Sequence, residues 1–86
     1  MSMATATLKL FSQLSDYLPP GADQNQALIE IGPSTTVDGV ITALALPAGK
    51  CHLVLLNGVF IPPSERIATP IRPGDALAIW PPVGGG

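Results

Sequence analysis

The residues with the clearest chemical potential stand together at the end of the chain, Trp80-Pro81-Pro82-Val83-Gly84-Gly85-Gly86. A Pro-Pro step fixes φ near −65° and lifts the backbone off a strand. Three residues without side chains then carry the terminal carboxylate of Gly86 outward. Fully extended, the residues after Trp80 reach roughly 20 Å at about 3.3 to 3.6 Å per residue. The expected shape is a thin arm, residues 81–86, with a chemically addressable tip, on a domain formed by residues 1–80. Glycine runs by themselves read as loose termini. Coupled to Gly74-Asp75, Trp80 and Pro81-Pro82, this one reads as an arm that threads into another molecule.

Other reactive residues are few. Cys51 and His52 are adjacent, but neighbours on a strand point to opposite faces, which argues against a joint catalytic pair. Cys51 reads as a bystander and His52 as a structural or surface histidine. Asp75 reads as a turn-closing carboxylate. Arg66 and Arg72 read as solvated cations, with contact to an acidic partner as the alternative. Trp80, beside the arm, reads as a partner contact, with core filling as the alternative; aromatics are enriched at interfaces. Phe60, Ile61 and Pro62 extend that patch or pack an edge.

The chain has 86 residues, 47% of them apolar and 12% charged, with a net charge of −2. One small domain follows, with a modest core and little room for a deep catalytic pocket. So few charges leave apolar surface uncovered, and with it the expectation of a protein partner. The four cations, Lys9, Lys50, Arg66 and Arg72, are scattered, which argues against nucleic acid or an anionic membrane. A single cysteine allows neither an internal disulfide nor a cysteine-based zinc site. Neither a signal peptide nor a membrane span is legible, and the expected compartment is cytoplasmic.

The elements that must position the arm follow from periodicity. Ala4 to Phe11 and Gln26 to Ile31 read as strands, separated by a Pro19-Pro20-Gly21 loop with one helical turn near Leu14 to Leu18. Val37, Val40, Ile41 and Leu44 form one apolar helical stripe. Thr35 is the expected cap, and Pro47 and Gly49 end the helix after about three turns. His52 to Leu56 and Val59 to Ile61 flank Asn57-Gly58, the strongest short hairpin signal. Asp75 to Trp80 is the last strand, with Leu77 and Ile79 on one face and Ala76, Ala78 and Trp80 on the other. The order β-β-α-β-β-β predicts a two-layer α+β domain.

The segments Leu55-Leu56-Asn57-Gly58 and Ile71-Arg72-Pro73-Gly74-Asp75 through Pro81-Pro82-Val83-Gly84-Gly85-Gly86 resemble the MoaD/ThiS family of ubiquitin-like sulfur carriers. The opening Leu10-Phe11-Ser12-Gln13-Leu14 is similar to that family's first-strand ending. The resemblance spans the chain and is most specific over residues 55–86. Pro81-Pro82-Val83 makes it most like the small subunit of molybdopterin synthase. Pro47 to Lys50 is shorter than is usual there, Ser15 and Asp16 stand where the family carries a cation, and Gly84 replaces a variable residue.

The resemblance implies a β-grasp fold, a mixed sheet of four to five strands packed on one helix, with the first and last strands adjacent in the centre. It implies that an E1-like enzyme uses ATP to adenylate Gly86, and that a sulfur donor then converts the tip to a thiocarboxylate. A carboxylate is a poor electrophile, since resonance and charge both repel a nucleophile, so the activation is necessary. The chain would hold no permanent cofactor and no metal, and would not be catalytic alone. Gly84 and Gly85 would thread a narrow channel, Pro81 and Pro82 would stiffen the root, Val83 would anchor in the partner's groove, and Trp80, Phe60 and Ile61 would touch the partner. The sulfur-accepting partner implied is the molybdopterin synthase large subunit or another enzyme. Alternatives are a carrier for thiazole or another sulfur metabolite, and a β-grasp module that only binds a partner.

Overall fold

The computed structural model describes residues 4–82; residues 1–3 and 83–86, and with them Val83, Gly84, Gly85 and Gly86, lie outside the described residues. Five strands, β1 (Ala4–Leu10), β2 (Gln26–Ile31), β3 (Leu53–Leu56), β4 (Val59–Phe60) and β5 (Ala76–Trp80), form one mixed sheet in the order β2-β1-β5-β3-β4. One helix, α1 (Val37–Ala43), packs across it. This is the expected β-grasp arrangement.

Strict alternation builds the core. In β1, Ala6, Leu8 and Leu10 are buried; in β5, Leu77 and Ile79; in β3, Val54 and Leu56. Parallel pairing sets Leu8 against Leu77 and Leu10 against Ile79, so the two central strands present one continuous apolar surface. Val37, Val40 and Ile41 of α1 close over it. Each fully buried side chain of this size contributes about 1.5–3 kcal/mol. The opposite face, carrying Thr7, Lys9, Ala76, Ala78 and Trp80, has no second layer among the described residues.

Three local features depart from the sequence-based expectation. Thr36, not Thr35, caps α1: its Oγ1 accepts from Gly39 N at 3.0 Å. Thr35 Oγ1 instead accepts from Gly32 N at 2.8 Å and closes the preceding turn. Two adjacent threonines are equally able to cap, and the Gly32 turn consumes the first. The absent side chain at Gly39 also serves the cap, because a Cβ there would meet Thr36 Oγ1 at 3.3 Å.

The helix makes about two turns rather than three. Ala45 enters the left-handed region at φ 58°, its N–H donating to Thr42 O and that of Leu46 to Ile41 O. These two bonds satisfy the last carbonyls and fold buried Leu46 back into the core. Before β2, the expected single turn is a 3₁₀ helix over Ser12–Tyr17 that buries Leu14.

The Asn57-Gly58 hairpin is present, with φ of 53° and 83° at the two turn residues. These values match the primed turn that suits strand twist. The sheet's margins are unequal. β4 has two residues and runs into Pro62 and Pro63, whereas β2 has six residues on the other rim.

Thr36→Ala is expected to lower unfolding free energy by about 1 kcal/mol, measured by urea denaturation. An unchanged midpoint would reject the cap.

Candidate functional site

β5 ends at Trp80, which is held on both sides. Trp80 O accepts from His52 N at 3.0 Å. Its ring stacks on Phe11, with centroids 4.2 Å apart and planes 2° from parallel. Phe11 is itself held by donation from its N–H to Ile79 O at 3.1 Å. Pro81 follows half-buried and Pro82 exposed. Pro81 lines a groove of about 300 Å³ with Leu14, Tyr17, Pro47 and Lys50. Pro81 and Pro82 therefore follow directly on an anchored Trp80.

Trp80 lies on the open face, away from the helix. Its register partner is Leu53 of β3, and Leu55, Ala78 and Phe60 form the next row. Phe60 is half-exposed, so both aromatic residues expected at a partner surface share one accessible face. Lys9, paired with Ala78 across β1, places a cation beside them.

Ile61 is a correction. It is 7% exposed and belongs to the core. Its N–H donates to Val54 O at 2.8 Å, extending the ladder by one bond. Alternation after Phe60 turns it inward, so it is not available as a partner contact.

Arg66 is a second correction. Rather than solvated, it is 6% exposed. Its Nε donates to Ile61 O at 3.2 Å and its Nη1 to Cys51 O at 2.9 Å, while Nη2 is buried without a partner. No local pattern marks it, because its partners come from two other segments. Arg72 is exposed, as expected.

Cys51 is buried, its Sγ donating to Pro47 O at 3.5 Å. Burial pushes its thiol pKa up, against the opposing pull of the Arg66 charge. A raised pKa leaves little thiolate, the reactive form. His52 is exposed and is not bonded to it. Among the described residues, no group of three His, Cys, Asp or Glu side chains could hold a metal. No described helix is long and apolar enough to cross a membrane.

The motif residues Asn57, Gly58, Gly74 and Asp75 form a clamp rather than a catalytic set. Asp75 Oδ1 accepts from Asn57 Nδ2 at 2.9 Å and Oδ2 from Arg72 N at 2.8 Å. Asn57 Oδ1 accepts from Ala76 N at 2.9 Å. Gly74, at φ 85°, makes the bend that feeds Asp75 into this clamp.

The ThiS family model matches residues 8–86. The chain belongs to the ThiS family. Two solved structures from Haloferax volcanii are similar to it. The solution structure of the HVO 2177 protein is 25% identical, with a TM-score of 0.73, covering 98% of this chain and 88% of that one. The crystal structure of SAMP1 is also 25% identical, with a TM-score of 0.64, covering 95% of this chain and 99% of that one. No curated protein matches the chain. These likenesses reach the family and the fold, and neither structural relative is described as a molybdopterin synthase subunit.

In this ThiS-family chain the backbone N–H of Arg72, then the Asn57 amide, hold the Asp75 carboxyl below the usual carboxylate range. The ionised form is favoured on folding, so its contribution is present above about pH 3.9 and is lost as pH falls through the lower folded value. Wild type is expected to lose more stability than Asp75→Asn between pH 5 and pH 2, followed by denaturation. Parallel pH curves would reject the clamp's charge dependence.

Proposed function

We propose that this chain is a sulfur carrier. The observation that carries the reading is the anchored root: a central strand ends at Trp80, held by His52 and Phe11, immediately before Pro81-Pro82 and the Val83-Gly84-Gly85-Gly86 sequence. The family match supports it. Proline at the root limits the conformations that docking must freeze, and glycine at the tip puts no Cβ in a narrow channel.

An E1-like partner joins the Gly86 carboxylate to the α-phosphate of ATP and releases pyrophosphate. Sulfide attacks the carbonyl carbon and expels AMP, leaving a thiocarboxylate. With a persulfide as donor, its terminal sulfur expels AMP to give an acyl disulfide; a thiol then attacks the donor-side sulfur, forming a disulfide with the donor as the original S–S bond breaks and the thiocarboxylate leaves. The ionised sulfur attacks an electrophilic carbon of the acceptor and displaces its leaving group, forming a thioester. Water then attacks the acyl carbon and cleaves the C–S bond, returning the carboxylate and leaving the sulfur on the acceptor as a thiol. No acid, base or metal of this chain takes part. Trp80 and Phe60 dock the open face on the partners, and Val83 seats in the partner groove.

Pro81-Pro82-Val83 favours molybdopterin synthase, with this chain as the small subunit serving a large subunit in molybdenum cofactor biosynthesis in the cytoplasm.

Incubation with ATP, sulfide and a cognate activating enzyme is expected to replace one oxygen by sulfur in the intact mass. Deleting Gly86 is expected to abolish this while leaving the thermal midpoint unchanged. An unchanged mass with a proven cognate enzyme would reject the carrier reading and leave a binding module. Transfer from the thiocarboxylated chain to a thiazole-forming enzyme, and not through a molybdopterin synthase large subunit, would reject the pathway alone.

A further inference from the structure

A buried arginine whose partners are both main-chain carbonyls is an expensive residue. Removing its charge from water costs several kcal/mol, and two neutral acceptors offset only part of this. Its Nη2 is sealed in with nothing to donate to. An apolar side chain would fill the same volume at lower cost. What it would not do is bind carbonyls of two separate segments in one fixed geometry, which the planar guanidinium does.

The segments that Arg66 joins lead to the root of the arm. Its Nη1 holds Cys51 O at 2.9 Å and its Nε holds Ile61 O at 3.2 Å. Its own carbonyl accepts from Asp38 N, in the first turn of α1, at 3.0 Å. One residue beyond Cys51, His52 N donates to Trp80 O. That bond is the last on this side of β5, because Pro82, the next residue in line to face β3, has no N–H to donate. The path from the helix layer to the arm therefore runs Asp38, Arg66, Cys51, His52, Trp80, and every link except the Cys51–His52 peptide is a hydrogen bond.

We propose that Arg66 is a positioning residue for the arm: by fixing the Cys51-His52 segment it fixes the Trp80 carbonyl, and with it the direction in which Pro81-Pro82 leaves the sheet. The proposal rests on the reading of the arm as the part presented to an activating enzyme. Arg66 touches none of the reacting atoms. Its effect is on how often the tip points into the partner's cleft.

Two variants test it. Arg66→Lys keeps the charge and loses the fork; Arg66→Met keeps most of the volume and loses both. The first readout is amide hydrogen exchange by NMR under native conditions. His52 N–H is expected to exchange about tenfold faster in Arg66→Lys, equivalent to about 1.4 kcal/mol of local opening, while the β1–β2 amides keep wild-type rates. The second is adenylation by the activating enzyme. KM for the carrier is expected to rise with kcat unchanged, because misdirected arms dock less often but react normally once docked.

If His52 exchange rises only in step with the β1–β2 amides, Arg66 is a general stabiliser and the proposal is overturned. A selectively freed His52 with unchanged KM would overturn it too. Where Arg66→Met does not fold, Arg66→Lys decides. If wild type forms no adenylate with a proven cognate enzyme, the carrier reading fails, whereas the exchange experiment still judges the clasp.

Discussion

The parallel pairing of β1 with β5, Thr7 against Ala76 through Leu10 against Ile79, is the constraint on which the other geometry depends. It puts the first and last strands in the middle of the sheet, so that Leu8, Leu10, Leu77 and Ile79 are all fully buried under one short helix. It also decides where the chain leaves the domain. Trp80 emerges from the centre of the sheet rather than from a rim, with β1 and the Phe11 ring on one side and His52 and Leu53 on the other.

The residues that make this chain resemble its family divide into two kinds of work. Asn57, Gly58, Gly74 and Asp75 tie the hairpin to the start of β5 through side chain and backbone hydrogen bonds. They are architecture. The final glycines, by contrast, offer only a main chain and a carboxylate. Among the described residues no group of three or more His, Cys, Asp and Glu could hold a metal, and Cys51 is buried with its thiol pKa raised. The described domain presents an accessible apolar face around Trp80 and Phe60.

Local signals were read well where burial is periodic. The alternation in β1 and β5 and the apolar stripe of α1 follow from a spacing of two or of three and four residues, and the Asn57-Gly58 turn from the positive φ that dipeptide favours, a local turn chemistry like that of Gly74-Asp75. Asp75 was legible as a turn residue for the same reason. Misreadings fall where the deciding partner is distant or where two neighbours compete. Thr35 and Thr36 are indistinguishable until the Gly32 turn claims one of them. Helix α1 stops at an alanine in a left-handed conformation that no glycine announces, short of the prolines and glycines that punctuate the sequence. Ile61 lies beyond the end of β4, yet keeps its alternation and turns inward. The environment of Arg66 depends on Cys51 and Ile61, fifteen and five residues away, and nothing in its own neighbourhood distinguishes it from a surface cation.

The unequal margins of the sheet have a consequence for self-association. An unpaired strand offers a row of free backbone donors and acceptors to any other chain in solution. Here one rim, β4, is two residues long and is closed off by consecutive prolines, while the other, β2, runs for six residues and exposes Leu28. Two copies joined rim to rim through β2 would leave only their closed rims outward. Growth by strand addition would then end at a pair, since each outward rim among the described residues is a two-residue strand followed by prolines.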